Sequence, residues 1–451
     1  MLHTIKRIIL VFVKRTILLW RPIYRLIIGA KKYPLSKGKE IINKAKKHLN
    51  QALSSPVDLG MPMSERWDEY SRMIRNEINK MKYAHQAIYY CQGYIGFDHR
   101  ELAAVQLTYF PKYENTLKAE FPNFSKMISS SNDSPYSLPE TLIRYKGRLV
   151  SNMSYFHLRY VLQCLTYVKE PKMICEIGGG YGGPARLWLQ NPVCKPKTYV
   201  IVDLPESLFF AEVFLHMNFK ENEILYITDS RPINPEEASK YSVILCPVNF
   251  TDSVSRLSFD LVINTGSLNE MTEEWVDFWM EWIDKQDCRF FYSQNFFAQR
   301  LDFMAEGCST WTPRLKKDWR IRLQVFNPHF VMQQTYRSVG EILAEKLSAA
   351  DRTPEPILVA QYESTKERYL DGQMLMEAID IFRICPREDI NLDLLVRCVN
   401  EMNPIPKEAY YLAEYLNTHA SPDFMSNINN EFKEIRSKLH SIRAAGRENL
   451  T

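Results

Sequence analysis

Met173-Ile174-Cys175-Glu176-Ile177-Gly178-Gly179-Gly180-Tyr181-Gly182-Gly183 is the stretch on which the fold reading turns. Met173 to Ile177 has the length and apolar content of a short buried strand. Five of the six positions 178–183 are glycine, in a chain that has only 16. Glycines there let the backbone turn tightly and approach a ligand. The helical stretch Ala185 to Leu189 follows, giving the strand–loop–helix context in which such loops hold nucleotide-like cofactors. A GxGxxG fingerprint fits at Gly178, Gly180 and Gly183, a weak signal alone. Twenty-odd residues on, Thr198 to Val202 forms a second strand that ends in Asp203-Leu204-Pro205.

Working outward, Ile224 to Ile227, Val243 to Leu245, Phe259 to Ile263, Arg289 to Tyr292, Arg322 to Phe326 and Ile357 to Gln361 read as further strands. Helical stretches separate several of them. That alternation implies an α/β fold with a mostly parallel, doubly wound sheet. Residues 40–144 read as helical, with Tyr70, Met73, Ile74, Ile78 and Met81 at helical spacing and a polar loop at Ser129 to Pro135. Residues 366–451 are helical again and read as an appendage for oligomerisation or docking.

Two acids select the ligand. Glu176 lies two residues before Gly178, where a buried carboxylate would repel a pyrophosphate. The same carboxylate suits a cationic ligand with an amino-acid end, such as S-adenosylmethionine. Asp203, at the end of the next strand, is placed to accept both hydroxyls of a ribose. A glycine turn that binds nothing is the plain alternative, disfavoured by acids ending two neighbouring strands.

The loop Glu176 to Gly183 and Asp203-Leu204-Pro205 resemble class I S-adenosylmethionine-dependent methyltransferases. Phe259-Asp260-Leu261-Val262-Ile263-Asn264, with Ser267-Leu268-Asn269-Glu270-Met271, is similar to that fold's fourth strand and active-site loop. In combination these motifs resemble the sugar O-methyltransferases of bacterial surface-polysaccharide loci, over residues 145–365. The resemblance implies a Rossmann-like domain, S-adenosylmethionine as cofactor and a sugar or glycan acceptor. It places Glu176, Gly178, Gly180 and Tyr181 on the methionine side, Asp203 and Leu204 at the ribose and adenine, and Asn264 at the end of the fourth strand. Asn249 and Phe250 would meet the adenine, with Asn standing where Asp is usual. Arg159 has two readings, a cap on the cofactor carboxylate or an ion-pair residue.

Methylating a sugar hydroxyl needs positioning and benefits from a general base. Strand ends select Asn264, Ser267, Asn269 and Glu270, then Gln294 with Asn295, and His329 in Asn327-Pro328-His329-Phe330. Glu270 and His329 are the candidate catalytic bases. His329 also reads as a turn residue, and Glu270 as a helix-start charge before Thr272-Glu273-Glu274. Trp275, Trp279 and Trp282 share one helix face, which reads as core. No His, Cys, Asp or Glu set has metal-ligand spacing, so the residues assign no metal site, and metal dependence stays open.

At 45% hydrophobic and 24% charged residues, the 451-residue chain is globular in composition, which excludes wholesale disorder and a polytopic membrane protein. Nine cysteines without a CxxC exclude a zinc ribbon and fit a reducing cytoplasm. Ten of the 57 cations lie in residues 1–39, before the first carboxylate, Glu40, so the rest is net acidic, with 47 cations against 53 anions. The overall pI therefore says nothing about nucleic-acid binding, and no nucleic-acid partner is expected. Arg7, Lys14, Arg21 and Arg25 fall on one helical face, and Ile5, Ile9, Phe12, Leu19, Trp20, Ile23 and Ile27 on the other. Residues 1–30 thus read as an interfacial helix on an anionic membrane, kinked at Pro22, with the enzyme peripheral to the inner membrane face. Two other functions stay open. One is an NAD(P)-dependent sugar oxidoreductase or epimerase, against which stands the lack of a Tyr-x-x-x-Lys pair in residues 262–320. The other is a scaffold that retains a cofactor domain.

Overall fold

A computed structural model describes residues 23–55, 65–93, 103–191, 193–296, 319–326 and 339–347. They belong to two compact units, one running to Asn264 and taking in Gln286–Cys288, the other comprising Thr265–Lys285 and the chain from Arg289.

The first unit opens with helical residues 23–28, then helices α1 (Leu35–Leu53), α2 (Glu65–Lys80), α3 (Ala84–Gly93), α4 (Ala103–Glu120) and α5 (Ser125–Ser130). A hairpin, β1 (Ile143–Tyr145) and β2 (Arg148–Val150), follows, turning at Lys146 and Gly147, both at positive φ. That two-residue turn suits the twist of paired strands. Next come α6 (Asn152–Tyr167), β3 (Met173–Ile177), α7 (Gly183–Leu189), β4 (Thr198–Asp203), α8 (Pro205–His216), β5 (Ile224–Tyr226), α9 (Pro235–Ala238), β6 (Val243–Pro247) and β7 (Phe259–Thr265). The five strands β3 to β7 stand in the order β5-β6-β4-β3-β7 and all pair in parallel. This is the doubly wound α/β fold expected from the alternation of strands and helices. The order reverses between β3 and β7, and such a switch point opens a crevice at the strands' carboxyl ends.

The sheet is enclosed on both faces, since every residue of β6 and all but the last of β4 are buried. On α1 the buried residues are Gly38, Ile42, Ala45, Leu49 and Ala52, one helical stripe, and this helix packs on α8. The N-terminal helices are therefore a layer of the same unit. Tyr24 and Ile28 dock on the hairpin: Ile28 packs with Leu142 and Leu149, and the Tyr24 hydroxyl donates to the Leu142 carbonyl.

In the second unit, α10 (Glu273–Lys285) carries a buried Trp279–Trp282 contact, the core role read from their spacing. Strands β8 (Cys288–Phe296), β9 (Trp319–Phe326) and β10 (Val339–Lys346) form an antiparallel ladder in the order β8-β10-β9. Strand β10 was not expected from the sequence. Its Glu, Leu, Ala and Lys favour helices, and pairing on both sides overrides that preference. The expected strand at Ile357 to Gln361, residues 1–22 and the C-terminal region 366–451 lie outside the described residues.

A buried hub ties the segments before β3. Glu114 of α4 accepts from Arg148 Nη2 at 2.6 Å, Lys118 at 2.7 Å, Lys146 at 3.0 Å and the Tyr155 hydroxyl at 3.0 Å. Burial alone would raise its carboxyl, but these four bonds outweigh that and bring it down to about 2. A depressed carboxyl stabilises the fold above its unfolded value and loses that contribution as pH falls from about 4.5 toward 2. Glu114→Gln should therefore lower stability at neutral pH by about 3–5 kcal/mol, because it strands the Arg148 charge. In acid thermal melts its deficit relative to wild type should shrink below about pH 4.

Candidate cofactor site

The glycine loop leaves β3 at the switch point. Gly178 donates its N–H to the Val202 carbonyl at 2.8 Å, extending the β3–β4 pairing by one residue. At Gly180, φ is +54°, a left-handed value costly for other residues. That turn aims its N–H at Asp203 Oδ2, 2.8 Å away, while the Leu204 N–H reaches Oδ1 at 2.7 Å. A Cβ added at Gly180 would meet nothing within 4 Å, so the loop is open on that side. At Gly179 a Cβ would lie 2.7 Å from Ile201 Cγ2 and 3.0 Å from Glu176 Oε2. The loop thus rests directly on the glutamate.

Glu176 is fully buried. The Tyr199 hydroxyl donates to its Oε2 at 2.9 Å, and Oε1 has no donor among the described residues. Burial pushes this carboxyl up to about 8, with Asp203 adding to the rise and the Tyr199 bond opposing it. Asp203 is also raised by burial, to about 7, against the lowering effect of the Gly180 and Leu204 N–H groups and Ser207. The Gly180, Leu204 and Ser207 bonds take three of the carboxylate's roughly four acceptor sites and leave capacity for a ligand hydroxyl.

The remaining sequence candidates divide. Asn264 is buried at the end of β7 and donates to the Ile177 carbonyl at 3.0 Å, closing the switch point beside the loop. Leu204 is half-buried ahead of α8. Asn249, in the turn after β6, donates to the Ala52 carbonyl of α1 at 2.9 Å, and its buried Oδ1 has no donor among the described residues. Phe250 beside it is buried. Tyr181 packs on Phe214 and His157. Arg159 is buried and pairs with Glu120 at 2.6 Å, the ion-pair geometry of its two readings. In the second unit Glu270 ends the short turn Leu268–Glu270 and is half-buried. His329 lies outside the described residues.

Tyr199 was missed in the sequence. Its signal is register: Glu176 pairs with Ile201, and Tyr199 lies two residues earlier on the same face of β4. The α1 carbonyl at Asn249 had no local signal. Among the described residues no set of three His, Cys, Asp or Glu could hold a metal ion.

No protein-family model matches the chain, and no curated protein matches it. Solved structures superpose on part of the chain. An uncharacterized protein from Listeria monocytogenes serotype 4b is 10% identical, covering 63% of this chain and 97% of its own, with a TM-score of 0.32. TrmK of M. capricolum, in complex with S-adenosylhomocysteine, is 12% identical over 62% of this chain and 96% of its own, with a TM-score of 0.31. A mutant MtNAS in complex with S-adenosylmethionine is 11% identical over 69% and 98%, with a TM-score of 0.29. These superpositions are partial, and the functional reading rests on the residues of the loop.

A carboxyl raised on folding stabilises the protonated fold, and that contribution is lost as pH rises from about 4.5 toward 8. Glu176→Gln cannot ionise. In thermal melts of ligand-free protein, its Tm should gain on wild type by several degrees between about pH 6 and about pH 9. A constant gap would contradict the raised Glu176 carboxyl.

Proposed function

We propose that the protein is an S-adenosylmethionine-dependent methyltransferase whose acceptor is a hydroxyl of a sugar or surface-glycan intermediate. The observation that carries the reading is Glu176, a fully buried carboxylate beneath the glycine loop with one oxygen lacking a donor. A cationic amino-acid end offers donors to this carboxyl and favours its ionised form, whereas a pyrophosphate over the loop brings no hydrogen to the unmet oxygen and opposes ionisation. The residues fit the cofactor on its other parts too. Asp203 keeps acceptor capacity for a ribose hydroxyl, Gly180 leaves open space above the loop, and Asn249 Oδ1 is an acceptor for the adenine amine. The sugar acceptor follows from the resemblance of the loop and strand motifs.

Bound there, the cofactor would supply an electrophilic methyl group on a sulfonium. The acceptor oxygen gains the methyl and gives up its proton, leaving S-adenosylhomocysteine. Holding the reacting groups in line supplies much of the rate. Glu270 or His329 takes the proton; the imidazole has the more suitable unperturbed pKa for a base at neutral pH.

The acceptor meets the enzyme at an anionic membrane, in this reading. No helix among the described residues is long and apolar enough to cross a bilayer. Helical residues 23–28 expose Ile23, Leu26 and Ile27, at 48%, 82% and 70%, while Tyr24 and Ile28 hold the segment to the hairpin. An exposed apolar face continuing a cation-rich segment matches an interfacial helix.

In calorimetry S-adenosylhomocysteine should bind and NADH should not. Asp203→Ala should weaken binding about 10- to 150-fold, the worth of roughly 1.5–3 kcal/mol of charge-assisted hydrogen bonding. NADH binding in preference to S-adenosylhomocysteine would reverse the assignment. Separately, Ile27→Glu should reduce co-sedimentation with anionic vesicles at low salt and leave S-adenosylhomocysteine affinity unchanged. Equal sedimentation of variant and wild type would count against the membrane face.

A further inference from the structure

Strand β4 is apolar between its ends. Tyr199, Val200, Ile201 and Val202 are fully buried, and the Tyr199 hydroxyl is the one polar side-chain group among them. That hydroxyl donates to Glu176 Oε2 at 2.9 Å. The glycine loop closes over the same oxygen, since a Cβ at Gly179 would lie 3.0 Å from it. Oε1 is left as the oxygen of this acid without a donor among the described residues. The two oxygens are therefore unequal, and the Tyr199 bond distinguishes them.

The titratable groups facing this pair are Cys175 beside Glu176, Asp203 at the end of β4, and Tyr160 and Cys164 of α6; none of them is a cation. Burial and the adjacent carboxyl push the Tyr199 phenol well up, so it keeps its proton and stays a donor at neutral pH. A donor favours the charged form of a buried carboxyl and so lowers the cost of ionising it. A bond to one oxygen also fixes the plane of the carboxyl, which directs the other. Phenylalanine would fill the same space in the strand and do neither.

We propose that Tyr199 is a positioning residue, which holds Glu176 by one oxygen so that the other receives the ammonium group of the cofactor's amino-acid end. The role rests on the transferase reading above and reaches the cofactor only through Glu176.

Calorimetric titration of the full chain with two ligands between about pH 6 and about pH 9 tests it. One is S-adenosylhomocysteine; the other is methylthioadenosine, which keeps the nucleoside and lacks the amino-acid end. In Tyr199→Phe the affinity for S-adenosylhomocysteine relative to methylthioadenosine should fall about tenfold near neutral pH. The rise of S-adenosylhomocysteine affinity with pH should also move to higher pH, because the carboxyl has lost a donor to its charged form. In a Glu176→Gln background, Tyr199→Phe should leave S-adenosylhomocysteine affinity within about twofold, since the carboxylate it acts through is gone. Should methylthioadenosine bind too weakly to measure, the pH shift and the Glu176→Gln background decide. Equal losses for both ligands, an unshifted pH profile or a full effect in the Glu176→Gln background would overturn the role and make the hydroxyl a packing contact. So would a Tyr199→Phe chain that does not fold. Wild-type protein that does not bind S-adenosylhomocysteine would strike the transferase reading itself, and the role with it.

Discussion

Among the described residues no cation pairs with Glu176, and a Cβ on the loop above it, at Gly179, would lie 3.0 Å from its Oε2. The carboxylate is enclosed between Tyr199 and Ile201 of β4 and the backbone of Gly179. Position 179 has no room for a side chain, since a Cβ there would lie 2.7 Å from Ile201 Cγ2 and 3.0 Å from the carboxylate. The tight path then brings the Gly180 N–H to Asp203. Ile201 and the buried acid together lie under the loop, and the Gly180 and Leu204 N–H groups hold the second acid. Leaving a buried polar oxygen unmet costs about 1–3 kcal/mol. The densely packed strands around it absorb that cost, with β4 and β6 almost wholly enclosed.

The helices ahead of the sheet take part in this arrangement. The carbonyl of Ala52, near the end of α1, receives Asn249 and so holds the turn after β6. Along the same helix His48 pairs with the buried Glu212 of α8 at 2.8 Å. The segment before α6 is locked by Glu114 and Arg148, and α7 by Arg186, which donates to the Asn132 carbonyl at 2.9 Å. The polar loop at residues 129–135, which marks a boundary in the sequence, is thus a brace for the helix that follows the glycines.

Much of the parallel sheet was legible because its strands are short apolar runs bounded by turn residues, and Phe259–Thr265 and Val243–Pro247 extend the expected strands by only two residues. Strand β10 was not legible, since Val339-Gly340-Glu341-Ile342-Leu343-Ala344-Glu345-Lys346 has helix-forming composition and becomes a strand through its two neighbours. The hairpin β1–β2 escaped because three-residue strands carry too little pattern, although Lys146-Gly147 was a turn signal. In the site, Glu176, Gly178, Gly180 and Asp203 could be read from local spacing around two adjacent strand ends. The Asn249 contact spans 197 residues of sequence, and the ion pair that claims Arg159 spans 39, so neither leaves a local trace.

The central claim is that this loop, seated on a buried glutamate, takes S-adenosylmethionine or its product and rejects a dinucleotide. Native mass spectrometry of the full chain mixed with equal concentrations of S-adenosylhomocysteine and NAD tests it in one spectrum. The account predicts a single adduct per chain with the mass of S-adenosylhomocysteine, lost or strongly reduced in Asp203→Ala. A dominant NAD adduct, or no adduct of S-adenosylhomocysteine at all, would contradict it.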